Sequence, residues 1–224
     1  MPAIPTPLDL VIFDCDGVLV DSEPLSNAVL AGALTRAGLP TTSEQAVTAY
    51  KGLHMRDVLE HAERALGHPL PADFVPAFEA TRAQAFQREL VPVPGAAETV
   101  AAVKSAGIAV CVASQGKRSK TELTLGLTGL RSLFAQDAVF SAYSVTRGKP
   151  HPDLFLHAAC VMSASPDHTA VVEDTVVGVT AAIAAGMRAI GYSADGDADG
   201  LRRTGAEVID HLSELPDRLG LQDP

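Results

Sequence analysis

Short apolar runs punctuate the chain, and most are apolar on both faces rather than alternating. Residues 8–13 (LDLVIF) lead straight into acidic residues, and 108–113 (IAVCVA) lead to Ser114. Residues 138–142 (AVFSA) precede Lys149, and 169–172 (TAVV) run into Glu173 and Asp174. Residues 188–192 and 206–209 are later candidates. Runs of this kind suit strands of a parallel sheet covered by helices. Helical patterns lie between them. Residues 96–105 stop before Gly107, 152–162 open on a proline suited to a first turn, and 175–185 end at Gly186, a left-handed cap. Alternating strand and helix predicts an α/β fold with right-handed crossovers.

The alternation lapses once. From about Ser22 to Leu90 the patterns are helical, at 24–37, 43–50, 55–66 and 72–90, with no convincing strand. Pro92, Pro94 and Gly95 mark the return. The expected organisation is a core built from 1–21 and 91–224, with a small all-helical domain, 22–90, inserted after the first strand.

In an open parallel sheet, ligands bind beyond the carboxyl ends of the strands. The polar residues that follow the first four runs should therefore converge: Asp14 and Asp16, then Ser114, then Lys149, then Glu173 and Asp174. Four carboxylates would repel one another unaided. A hard divalent cation resolves this, and oxygen ligands with room for water suit Mg²⁺. The hydroxyl and the ammonium are donors for phosphate oxygens. Hydrolysis of phosphate monoesters is among the slowest uncatalysed reactions, and a carboxylate nucleophile divides it into two easier steps. Asp14 is the expected nucleophile. Asp16 is the acid that protonates the leaving oxygen and the base that then activates water. Lys149 and Ser114 hold the transferring oxygens.

Composition narrows the partners. The chain has 224 residues, of which 47% are hydrophobic but only 4% aromatic, with no tryptophan, so the core is built from aliphatic side chains. Lys and Arg number 17 against 27 Asp and Glu, a net charge of −10. That field disfavours nucleic acid and anionic membranes, so an anionic substrate must be met by a few placed cations or a metal. Cys15, Cys111 and Cys160 are far apart and lack a CxxC spacing, as expected of free thiols in a reducing compartment. The start, MPAIPTP, lacks the features of a signal peptide, and no apolar run approaches the ~20 residues of a membrane helix. The expectation is a cytoplasmic monomer acting on a small-molecule phosphate ester.

The segment from Asp14 to Ser22 (DCDGVLVDS) resembles the first signature of the haloacid dehalogenase superfamily, in its phosphatase branch. Ser114 matches the second signature, and Lys149-Pro150-His151-Pro152-Asp153-Leu154-Phe155 the third. Glu173-Asp174-Thr175, through Gly178 to Ala184-Ala185-Gly186-Met187, matches the fourth. The resemblance spans nearly the whole chain. It implies a Rossmann-like core with a mobile helical cap, and Mg²⁺ bound by Asp14, the backbone carbonyl of Asp16, and Asp174, with Glu173 beside them. A narrower resemblance to sugar-phosphate phosphatases of the family, carried by YKGLHMRDVLE, VASQGKRSKTEL and FSAYSVTRGKPHPDLFLHAA, implies a small sugar or sugar-acid phosphate as substrate. Branches that cleave carbon–halogen or carbon–phosphorus bonds lack the second acid, which Asp16 supplies here. A hexose-phosphate mutase branch shares all four signatures, and Lys51-Gly52 resembles its cap loop. Met55 stands where its arginine belongs, however, with Arg56 one step late, and Ser26 stands where it has a histidine. A signalling receiver domain also gathers acids, a hydroxyl and a lysine, but its acidic pair comes first and its lysine last, unlike the order here.

Specificity should lie in the helical insertion, because the signatures see only the phosphate. On the helix expected at 72–90, Phe78, Ala85 and Phe86 share a face, and Arg82 falls on it. Its guanidinium can pack there, pair with Glu79, or reach the far end of a substrate. Lys51 is a second candidate for that role. Gln115, next to Ser114, is a third candidate substrate contact.

Overall fold

A computed structural model describes residues 8–50, 53, 55–193 and 197–221. Six strands, β1 Leu10–Phe13, β2 Ala109–Ser114, β3 Val139–Ser141, β4 Thr169–Glu173, β5 Arg188–Tyr192 and β6 Glu207–Ile209, form one parallel sheet in the order β3-β2-β1-β4-β5-β6. Every run expected to be a strand is one. β1 lies between β2 and β4 and is covered on both faces, so Leu10, Val11, Ile12 and Phe13 are all fully buried. That is why its sequence shows no alternation of apolar and polar positions.

The helices are α1 Glu23–Arg36, α2 Ser43–Tyr50, α3 Met55–Leu66, α4 Phe74–Glu89, α5 Ala96–Ser105, α6 Arg118–Leu127, α7 Asp153–Val161, α8 Val176–Ala184, α9 Ala198–Thr204 and α10 Leu215–Leu219. The sequence patterns point to seven of them. They miss α6, whose RSKTELTLGL carries a serine, two threonines and a glycine of low helix propensity. Packing against β3 sustains it, with Thr121, Thr124 and Leu125 buried. The last two, α9 and α10, are short. Each ends on a left-handed glycine, Gly205 or Gly220.

The chain divides into two compact units. The larger holds the sheet and α5–α10. Its chain leaves and re-enters at paired positions, where Asp21 N donates to Val91 O (3.1 Å) and Val93 N donates to Leu19 O (3.0 Å). The smaller, Ser22–Leu90, holds α1–α4 around a core that includes Leu30, Leu34, Ala46, Tyr50, Val58 and Phe78.

Strand order places the chemistry. From β1 the chain moves outward to β2 and β3. It then returns to lay β4 on the other side of β1 and moves outward the opposite way. The connections after β1 and β4 therefore diverge, which leaves a crevice at their carboxyl ends. Cys15 and Cys111 are buried, and burial pushes both thiols well above their ordinary range, so they are inert core groups. Cys160 is exposed, and all three are free. Among the described residues no helix is long and apolar enough to cross a membrane.

Candidate active site

The register brings the polar ends of three strands level. Phe13 lies opposite Val112 on β2 and Val172 on β4. Asp14, one step beyond β1, donates its N–H to Val172 O (2.9 Å). Ser114 closes β2 and Glu173 closes β4 on the same edge. Asp14 is 7% exposed, Ser114 0%, Lys149 5% and Glu173 1%, so these groups must satisfy one another rather than rely on water.

Lys149 does most of this. It does not sit at the end of β3, which stops at Ser141, but arrives from the loop before α7. Its Nζ donates to Asp14 Oδ1 and to Glu173 Oε1, and the ammonium lies 5.1 Å from the centre of the Phe155 ring. Burial, the largest influence, pulls Lys149 down, but Asp14 and Glu173 together outweigh it and hold the ammonium above its usual range. Asp14 is pushed up to about 7. Burial raises it most, Lys149 opposes this, and the charges on Glu173 and Asp16 add to the rise.

The Glu173 carboxylate, expected beside the metal, is taken up by the protein's own donors. Oε1 receives Lys149, while Oε2 accepts from Thr175 N (3.1 Å) and Thr175 Oγ1 (2.9 Å). Thr175 in turn caps α8 by accepting from Gly178 N (3.0 Å). A Cβ at Gly178 would overlap the Glu173 carboxylate, so the glycine makes room for it.

Asp16 is joined by a residue that the sequence analysis missed. Lys120, on α6, forms an ion pair with Asp16 Oδ1, both groups being largely withdrawn from solvent. A signal was present. Lys117, Arg118 and Lys120 crowd the start of a helix, where cations are unfavourable unless an anion lies in front of them.

Ser114 Oγ accepts from Gly116 N (3.0 Å), which leaves its own proton for an oxygen set against it. The Gln115 side chain, expected as a substrate contact, turns to the main chain of Lys149. Arg82 falls on the expected face of α4. There its guanidinium lies 4.8 Å from the centre of the Phe78 ring and 5.9 Å from that of Phe86, within the smaller unit. Lys51 lies outside the described residues.

The remaining donors fit a hard cation. Gly17 turns with a φ of 81°, and a Cβ there would overlap the Asp174 carboxylate. Asp174 therefore rests against the loop that carries Asp14 and the Asp16 carbonyl, and all three offer oxygen. Among the described residues, no three His, Cys, Asp or Glu side chains group to hold a metal. The oxygen set that fits is therefore two carboxylates, Asp14 and Asp174, and the main-chain carbonyl of Asp16.

Residues 8–186 match the haloacid dehalogenase-like hydrolases, from the strand that carries Asp14 to the helix beyond Asp174. The chain belongs to that family. The haloacid dehalogenase-like fold accounts for both the parallel sheet and the placement of acids at its switch point. Among curated relatives, 6-phosphogluconate phosphatase of Escherichia coli (strain K12) is 29% identical over 94% of this chain and 94% of its own length. A family hydrolase from Deinococcus radiodurans R1, solved with bound phosphate and sodium, is 32% identical with a TM-score of 0.80. It covers 97% of this chain and 99% of that one. A putative beta-phosphoglucomutase from Thermotoga maritima is 27% identical with a TM-score of 0.79, covering 95% and 99%. Family membership makes the chain a hydrolase, and its phosphatase relatives accord with action on phosphoric monoesters.

The seating of Glu173 is open to test. Gly178→Ala should displace the carboxylate from Lys149 and lower turnover about ten- to a hundredfold. Gly126→Ala, on the exposed side of α6 with open space around it, should leave turnover unchanged. Steady-state kinetics of both variants decide, and equal activity would show that the Glu173–Lys149 contact is dispensable.

Proposed function

We propose that the chain is a phosphatase that removes the phosphoryl group from a small sugar-acid phosphate resembling 6-phosphogluconate, with Asp14 as nucleophile. The observation that carries this reading is the buried Lys149 ammonium held between Asp14 and Glu173 at the switch point of the sheet. In the first step the Asp14 carboxylate attacks phosphorus and the ester P–O bond breaks. Asp16 gives its proton to the departing oxygen. In the second step Asp16 takes a proton from water. The water oxygen attacks the phosphorus of the aspartyl-phosphate, which frees inorganic phosphate and restores Asp14. Lys149 and Ser114 hold the phosphoryl oxygens as charge moves onto them. A magnesium ion bound by Asp14, the Asp16 carbonyl and Asp174 would supply further neutralisation of that charge. Glu173 serves this chemistry by fixing Lys149. The enzyme is taken to work in the cytoplasm as a monomer.

The Escherichia coli relative supports an acid-sugar substrate, and Lys51 and Arg82 are the cations of Ser22–Leu90 assigned to its non-phosphate end. A mutase reading has the Thermotoga maritima structure in its favour. Met55 and Ser26, at positions where that branch has an arginine and a histidine, count against it.

Release of phosphate from a panel of sugar and sugar-acid phosphates tests the reading, with glucose 1-phosphate as the mutase control. The wild type should release phosphate from 6-phosphogluconate, and Asp14→Asn should fall below about 1% of that rate while keeping its fold. Formation of glucose 6-phosphate from glucose 1-phosphate without phosphate release would favour the mutase.

For Arg82, packing and recognition separate by substrate. Arg82→Ala should lower kcat/KM for 6-phosphogluconate about ten- to a hundredfold, corresponding to the ~1.5–3 kcal/mol of a charge-assisted hydrogen bond. It should barely change p-nitrophenyl phosphate hydrolysis. Equal losses on both substrates would assign Arg82 to the packing of Phe78 and Phe86 alone.

A further inference from the structure

The main chain at Lys149 is gripped by a side chain from a different loop. Gln115 accepts from Lys149 N through Oε1 (3.0 Å), and its Nε2 donates to Lys149 O (3.3 Å). One amide thus serves both backbone groups of a single residue, as a neighbouring strand would. The loop itself turns tightly, with His151 N donating to Gly148 O (3.0 Å). Gly148 is the position against which the amide lies. A Cβ there would stand 2.7 Å from Gln115 Oε1, 2.9 Å from Nε2 and 3.1 Å from Ala142 Cβ. The first two separations are shorter than side chains tolerate, so the grip and a side chain at 148 exclude one another. A second tie holds the gripping loop in place: Ser141 Oγ, at the end of β3, donates to Gly116 O (2.6 Å).

We propose that Gln115 is a positioning residue that sets the reach of Lys149, with Gly148 as the space its amide requires. The long Lys149 side chain must deliver one ammonium to Asp14 and Glu173 at once. Its aim depends on where its own Cα is held, and β3 has already ended at Ser141. The Gln115 amide replaces the missing sheet at that point. This proposal rests on the reading that Lys149 holds the transferring phosphoryl group. In reactions held to near-attack geometry, a displacement of about 1 Å costs on the order of a hundredfold in rate.

The test is a set of variants assayed with p-nitrophenyl phosphate, with melting temperature recorded for each. Gln115→Met keeps the length and removes both bonds. It should lower kcat about ten- to a hundredfold. Gly148→Ala should lower kcat to a similar extent by expelling the amide. The double variant Gln115→Ala/Gly148→Ala should be no worse than Gln115→Ala alone, because the space contested by the new methyl is then vacant. In a Lys149→Ala background, Gln115→Met should add less than about a twofold loss, since nothing remains to be aimed. A Gln115→Met kcat within twofold of wild type, beside an impaired Lys149→Ala, would overturn the positioning role alone. So would a Gln115→Met loss that recurs in full in the Lys149→Ala background, which would mark a general defect of the loop. A fully active Lys149→Ala would instead overturn the reading of Lys149 on which the proposal stands. If Gly148→Ala fails to fold, Gln115→Met with and without Lys149→Ala still decides.

Discussion

One buried cation and two buried carboxylates meet where β1 and β4 end. Lys149 cannot be neutral comfortably between Asp14 and Glu173, and neither acid can lose it without leaving a buried charge. Breaking such a buried set by removing one partner typically costs about 3–5 kcal/mol. The neighbourhood is arranged around that constraint. Thr175 fixes the far side of Glu173, Phe155 lies beneath the ammonium, and Gln115 grips the Lys149 backbone. The sheet contributes by register, because it ends β1 and β4 level with each other at the point where the chain leaves them in opposite directions.

Three glycines serve this cluster by what they lack. Gly17, Gly148 and Gly178 each face a polar group of the site, namely Asp174, Gln115 and Glu173. Only Gly17 among them also needs a left-handed backbone. The other two are required by close approach. Side chains of the site thus occupy space that an ordinary residue would fill with its own Cβ.

Much of the fold could be read in the chain because a strand buried on both faces is a continuous apolar run, and the six runs of this chain stand apart. The order of the strands could not be read, since apolar runs carry no record of their neighbours. α6 was hidden by its hydroxyl residues and glycine, and with it Lys120, whose pairing with Asp16 depends on where that helix begins. Glu173 and Asp174 are adjacent and chemically alike, so residue type alone does not tell which of them turns to Lys149 and which to the Gly17 loop; only the resemblance of the fourth signature set them apart. For Gln115, nothing in its position after Ser114 distinguishes a substrate contact from a backbone clamp. The face that carries Arg82 was legible from helical spacing, and the stack on Phe78 and Phe86 is what a guanidinium on an aromatic face does.

The proposed chemistry stands on a covalent bond between Asp14 and the phosphoryl group. Borohydride reduction of enzyme quenched during turnover converts an aspartyl-phosphate to homoserine, and peptide mass spectrometry locates it. In the Asp16→Asn variant, where hydrolysis of the intermediate is slowed, homoserine should accumulate at position 14. Homoserine at another acidic residue, or none at all while substrate is still consumed, would contradict nucleophilic attack by Asp14.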